Sequence, residues 1–123
     1  MEHKFRAFIS MSNFRKEIAR EFPNVSPVLN VFTKNNISDR KILKKIEKYE
    51  GAIPVYDLNV TIIEDLVYLI EDFDLSYIAI SEIIDGLENI LINTKSRKEF
   101  DFCLNRIFIT TIDKLKTKYI LDN

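Results

Sequence analysis

The sequence predicts an all-α fold: a single-domain bundle of about six helices spanning residues 1–123, with a long helix at the C-terminus. Three observations carry this. The chain of 123 residues has only two glycines and no Asn-Gly turn, whereas hairpins and barrels consume such turns. Helix-capping residues stand ahead of most apolar-periodic runs. Within those runs the apolar residues recur at helical spacing.

The elements follow in order. Lys4–Ile9 fits either a helical turn or a strand. Ser12 or Asn13 caps a segment that Pro23 ends after Phe22. Ser26 followed by Pro27 reads as an N-cap with proline at the first helical position, opening a short helix to about Lys34. Ser38 caps Asp39–Glu50, and Gly51 stands where a left-handed residue is wanted. Ala52–Asn59, with Pro54, reads as a loop. Thr61 and Glu64 form a capping-box pattern for a helix through Val60–Phe73, and Ser96 and Glu99 do so for the last one. Asp74 or Ser76 starts the helix that reaches Asn93.

Projecting these segments at 100° per residue separates their faces. In Val60–Phe73 the apolar arc holds Ile62, Ile63, Leu66, Val67, Leu69, Ile70 and Phe73. Glu64, Asp65, Tyr68, Glu71 and Asp72 lie opposite. In Ser76–Asn93, Tyr77, Ile80, Ile83, Ile84, Leu87, Ile90 and Leu91 form the buried arc. Glu82, Asp85, Glu88 and Asn89 face away, with Ile78 and Ile92 stranded among them. Gly86 continues the apolar phase and marks a close packing point or a slight bend. The last helix centres on Leu104, Ile107, Phe108, Ile112, Leu115 and Tyr119. A second ridge, Phe102, Ile109 and Ile120, fits either a helix central to its bundle or a self-association surface.

The formal net charge is −1, yet it is a cancellation. Residues 1–48 carry +6, residues 49–94 carry −10 with no Lys or Arg at all, and residues 95–123 carry +3. Such segregation reads as an acidic surface on two consecutive helices, aimed at a basic partner and repelling nucleic acid. Tyr68, amid the acids, suits an interface anchor. The competing reading pairs these acids with the basic helix 39–50 in the same molecule, or leaves them solvated. That helix sets Arg40, Lys41, Lys44, Lys45 and Lys48 against an apolar stripe of Ile42, Leu43, Ile46 and Tyr49, a pattern that also suits phosphate or an anionic membrane surface.

Catalysis, metals and cofactors are not expected. His3 is the only histidine and has no motif partner, which removes multi-histidine metal sites and any His-based nucleophile activation. Cys103, the only cysteine, excludes an internal disulfide and reads as a buried inert thiol. Carboxylate pairs such as Glu64/Asp65 and Glu82/Asp85 lack the spacing of a calcium loop. The charged start Met1–Arg6 has no apolar run after it, and Val60–Ile70 is too short to span a bilayer, so the expected location is the cytoplasm.

These features point to a non-enzymatic inhibitor of the immunity or antitoxin type that occludes a basic toxin or nuclease. The expected contact residues are Glu64, Asp65, Tyr68, Glu71, Asp72, Ile78, Glu82, Asp85 and Glu88. Two alternatives stand beside it. One is a small nucleic-acid-binding regulator using helix 39–50; the other is a structural or assembly subunit that self-associates through Phe102, Ile109 and Ile120.

Overall fold

Helices follow one another without an intervening strand in all that the computed structural model describes, which is residues 25–51, 58–94 and 102–121. They are α1 (Ser26–Lys34), α2 (Asp39–Glu50), α3 (Leu58–Glu64), α4 (Leu66–Asp72), α5 (Tyr77–Thr94) and α6 (Phe102–Leu115), which runs on as a wider π-helical turn, Lys116–Leu121. The all-α expectation holds. The expected elements at 4–9 and 12–22, the loop's central part, His3, the Ser96–Glu99 box and the side chains of Phe102, Cys103 and Leu104 lie outside the described residues.

Local chemistry sets the helix ends. The Ser38 hydroxyl accepts from the Lys41 amide (3.3 Å) and opens α2. The Ser76 hydroxyl accepts from the Ala79 amide (3.1 Å) and opens α5, so Ser76, not Asp74, is the cap. Gly51 closes α2 with φ +73° and donates its amide to the Glu47 carbonyl (2.8 Å).

Two other helices stop without glycine. Asn36 (φ 67°) and Asp74 (φ 53°) take the left-handed conformation after α1 and α4. Each sits in the same double hydrogen bond. Ile37 and Asn36 donate to the carbonyls of Phe32 and Thr33 (2.9 and 3.0 Å), and Leu75 and Asp74 donate to those of Ile70 and Glu71 (3.1 and 3.2 Å). This is the Schellman arrangement, with Asn and Asp in the position glycine usually fills. It explains how so glycine-poor a chain turns so often.

Three sequence expectations are corrected here. Val25, not Ser26, stands at the α1 cap, and its carbonyl takes the Val28 and Leu29 amides (3.0 and 3.1 Å). The segment 60–73 is not one helix: α3 already starts at Leu58, inside the expected loop, and the helix breaks at Asp65 (φ −95°, ψ 9°). Thr61 therefore lies inside α3 and is buried rather than capping it.

The core joins every described helix. α1 contributes Val28, Leu29, Val31 and Phe32; α2 contributes Ile42 and Ile46; α3 and α4 contribute Ile62, Ile63, Leu66, Leu69 and Ile70. α5 adds Ala79, Ile80, Ile83, Ile84, Leu87 and Ile90, and α6 adds Phe108, Ile112 and Leu115. α1 packs along α5, and α6 packs against α3, α4 and α5. At the α1–α5 contact Gly86 faces Pro27 and Val28, where an added Cβ would meet atoms at 3.6–3.7 Å, ordinary van der Waals distance. Thr111 of α6, also buried, donates its hydroxyl to the Ile63 carbonyl at 3.5 Å. No described helix is long and apolar enough to cross a membrane.

Candidate functional site

The acids of the middle segment are held where the helical projection placed them, with one exception. Glu64, Tyr68, Glu71, Asp72, Ile78 and Asp85 are exposed, and Glu82 and Glu88 are partly so. Asp65 is only 4% exposed. The expected contact residue Asp65 is thus corrected to an internal one. It stands at the break between α3 and α4, hydrogen-bonded to Glu50 at the end of α2, and its Oδ2 has no partner. Burial first, then the hydrogen bond and the charges of Glu50 and Glu64, push its carboxyl up to about 7. A protonated Asp65 donating to the Glu50 carboxylate follows from that environment.

Four of these acids already have cations. Lys34 of α1 reaches Glu82 with 3.0 and 3.1 Å contacts to its two oxygens. Lys116 reaches Glu88 at 2.8 Å, and Lys118 reaches Glu71 at 2.8 Å. Lys45 of α2 stands 3.6 Å from Asp72, which also accepts the Tyr49 hydroxyl. The Tyr49 bond, followed by the neighbouring lysines, holds Asp72 below the usual carboxylate range. Tyr49 itself is raised, mainly by burial and then by Asp72. Tyr119 donates to Glu71 at 3.5 Å. Lysines from both flanking basic blocks, Lys34 and Lys45 before and Lys116 and Lys118 after, therefore meet the acidic middle. Only one of these four partners belongs to helix 39–50; the others come from α1 and from the turn after α6.

Tyr68 remains open at 57% exposure, leaning on Tyr49 with ring centroids 5.5 Å apart. Tyr77, expected in the buried arc, is also 57% exposed because it is the first residue of α5, where no preceding turn covers it. Of the self-association ridge, Ile109 is exposed while Ile120 packs against the core.

What stands out is the outer side of α5. Ile78, Glu82, Asp85, Asn89 and Ile92 succeed one another at intervals of four, three, four and three residues, which aligns them in one stripe. Its two ends are the most exposed large apolar side chains described, Ile78 at 70% and Ile92 at 67%. They lie about 21 Å apart along the axis at 1.5 Å per residue. Asp85, midway, forms no ion pair with any described residue.

Two hollows flank α6. One of about 440 Å³ is lined by Glu64, Arg106, Ile107, Thr110, Thr111 and Lys114. The other, about 640 Å³, lies over Val67, Ile109, Asp113 and Lys118. Among the described residues no three His, Cys, Asp or Glu side chains converge as metal ligands.

No family model matches the chain, and neither a curated protein nor a solved structure matches it.

Proposed function

We propose that this chain is a non-enzymatic inhibitor of the immunity or antitoxin type, which covers a basic surface of a toxin or nuclease with the outer side of α5. The observation that carries this reading is the stripe Ile78–Glu82–Asp85–Asn89–Ile92, with its exposed isoleucines at either end and the exposed carboxylate of Asp85 between them. Exposed isoleucine at both ends of a helix face gains nothing in the free molecule; covered by a partner, each removes apolar surface from water. Asp85 fixes register against a cation, and Glu82 and Glu88 form a charged rim whose lysine partners exchange readily in water.

The internal pairing shifts weight within the interface. Glu71 and Asp72 are committed to Lys118, Lys45 and Tyr49, so they serve the fold before any partner. Ile78, Asp85 and Ile92 become the principal contacts, with Tyr68 and Glu64 on the neighbouring α3–α4 surface as a second patch.

A photo-crosslinking residue tests this directly. In the native cell, Ile78→p-benzoylphenylalanine and Ile92→p-benzoylphenylalanine are each expected to trap one and the same protein, of basic surface, and Asp85→Lys is expected to abolish the adduct. Adducts with different proteins at the two positions, or with further copies of this chain alone, overturn the reading.

A further inference from the structure

Of the lysines of α2, only Lys45 reaches a carboxylate among the described residues, that of Asp72. Lys41, Lys44, Lys45 and Lys48 follow the i, i+3, i+4, i+7 pattern of one helix face and, with Phe73, are the described residues that line a cleft of about 250 Å³. Phe73 is half-buried beyond the end of α4, held edge-on against Phe32 with centroids 6.3 Å apart. The Lys45 ammonium stands 5.8 Å from the Phe73 ring centre and reaches Asp72 at 3.6 Å. Lys41, Lys44 and Lys48 have no carboxylate partner among the described residues. Like charges gathered round one concavity repel one another, and an anion bound there relieves the repulsion.

The geometry points to a binding site for a nucleoside triphosphate in this cleft, its phosphates on the ammoniums of Lys41, Lys44 and Lys48 and its base against the apolar floor at Phe73. Two features favour a short ligand over a nucleic-acid strand: the cleft is small, and among the described residues its cations all lie on one helix face. This site is separate from the α5 stripe, so either can fail without the other.

The test is titration of the whole chain with a fluorescent ATP analogue carrying a methylanthraniloyl group on its ribose. Competitors are ATP, inorganic triphosphate and a twelve-nucleotide oligothymidylate. Saturable binding is expected at 50 mM salt, weakening about tenfold at 200 mM as screening grows. The triple variant Lys41→Gln/Lys44→Gln/Lys48→Gln is expected to lose at least about tenfold in affinity at unchanged helical content. Arg40→Gln, on the same helix but outside the cleft, is expected to stay within about twofold. ATP competing several-fold better than triphosphate supports the role of the Phe73 floor. Equal competition by the two replaces the nucleotide with inorganic polyphosphate, and oligothymidylate competing best replaces it with nucleic acid; either overturns the proposal. So does the absence of binding at 50 mM salt, or full binding by the triple variant.

Discussion

The Lys116 ammonium stands 2.8 Å from a carboxylate oxygen of Glu88, clasping the basic C-terminal end of the chain to its acidic middle. The hydrogen bond to Glu88, and then its charge, raise Lys116 above the ordinary 10.5. For a cation whose folded value is raised, the stabilisation is complete below about 10.5 and is lost as pH climbs through the raised value. Either Glu88→Lys or Lys116→Glu is expected to lower the melting temperature. The exchanged pair Glu88→Lys/Lys116→Glu should recover most of that loss, and 1 M salt should shrink all the differences. Thermal melts at two salt concentrations check this.

Asp65 gives a pH signature of the same sign in a lower window. Its carboxyl is raised from 3.8 to about 7 by burial and by Glu50. The folded chain therefore holds a proton that the unfolded chain has already released. Stability from this group is full below about pH 3.8 and falls as pH rises through 7. Asp65→Asn keeps the shape, cannot ionise, and still offers a donor to Glu50. It is expected to flatten the pH dependence between 4 and 7 and to stabilise the protein by about 1–3 kcal/mol at pH 8. Urea unfolding across that range is the measurement, and a parent chain as stable at pH 8 as at pH 5 would contradict the assignment.

Gly86 lies within α5, with room for a methyl group against Pro27 and Val28. Glycine inside a helix costs backbone entropy, so Gly86→Ala should stabilise by about 0.5–1 kcal/mol. Gly86→Leu is expected to push α1 off α5 and destabilise by about 1–3 kcal/mol. Denaturant midpoints at constant slope separate these two outcomes.

The isoleucines of α5 divide by role. Ile78→Ser and Ile92→Ser, at exposed positions, are expected to change stability by less than about 0.5 kcal/mol while weakening partner capture. Ile83→Ala, in the core between them along the chain, should cost about 2–5 kcal/mol. Comparing crosslinked yield with unfolding free energy distinguishes a contact surface from a structural one.

Much of this fold was legible because its punctuation is chemical. Ser38 and Ser76 announce α2 and α5, since a side-chain oxygen there satisfies an amide the helix leaves open. Helical spacing alone located Ile83, Leu87 and Phe108 in the core, and it singled out Ile78 and Ile92 as stranded. The same method failed at Asp65. A projection classes every carboxylate as outward, and it cannot show that tertiary packing buries this one beside Glu50 of α2. Thr61 misled because a Thr-x-x-Glu pattern looks the same inside a helix as at its start. The stops at Asn36 and Asp74 were hidden because residues other than glycine adopt the left-handed turn. For the candidate site, the sequence showed the sign of each block but not which lysine crosses to which acid. Lys34 and Glu82 are 48 residues apart, and only tertiary packing brings them together.

The cross-chain ion pairs have a bearing on the molecule before it folds. Strung out, the polypeptide is a triblock polyampholyte, with a continuous anionic block between two cationic ones. At low ionic strength such a coil contracts on itself, drawing both ends toward its centre, and raised salt relaxes it. Lys34, Lys45, Lys116 and Lys118 thus meet Glu82, Asp72, Glu88 and Glu71 in an ensemble already biased toward their encounter. The arrangement of charge along this chain serves as a coarse, salt-tunable guide to its own collapse.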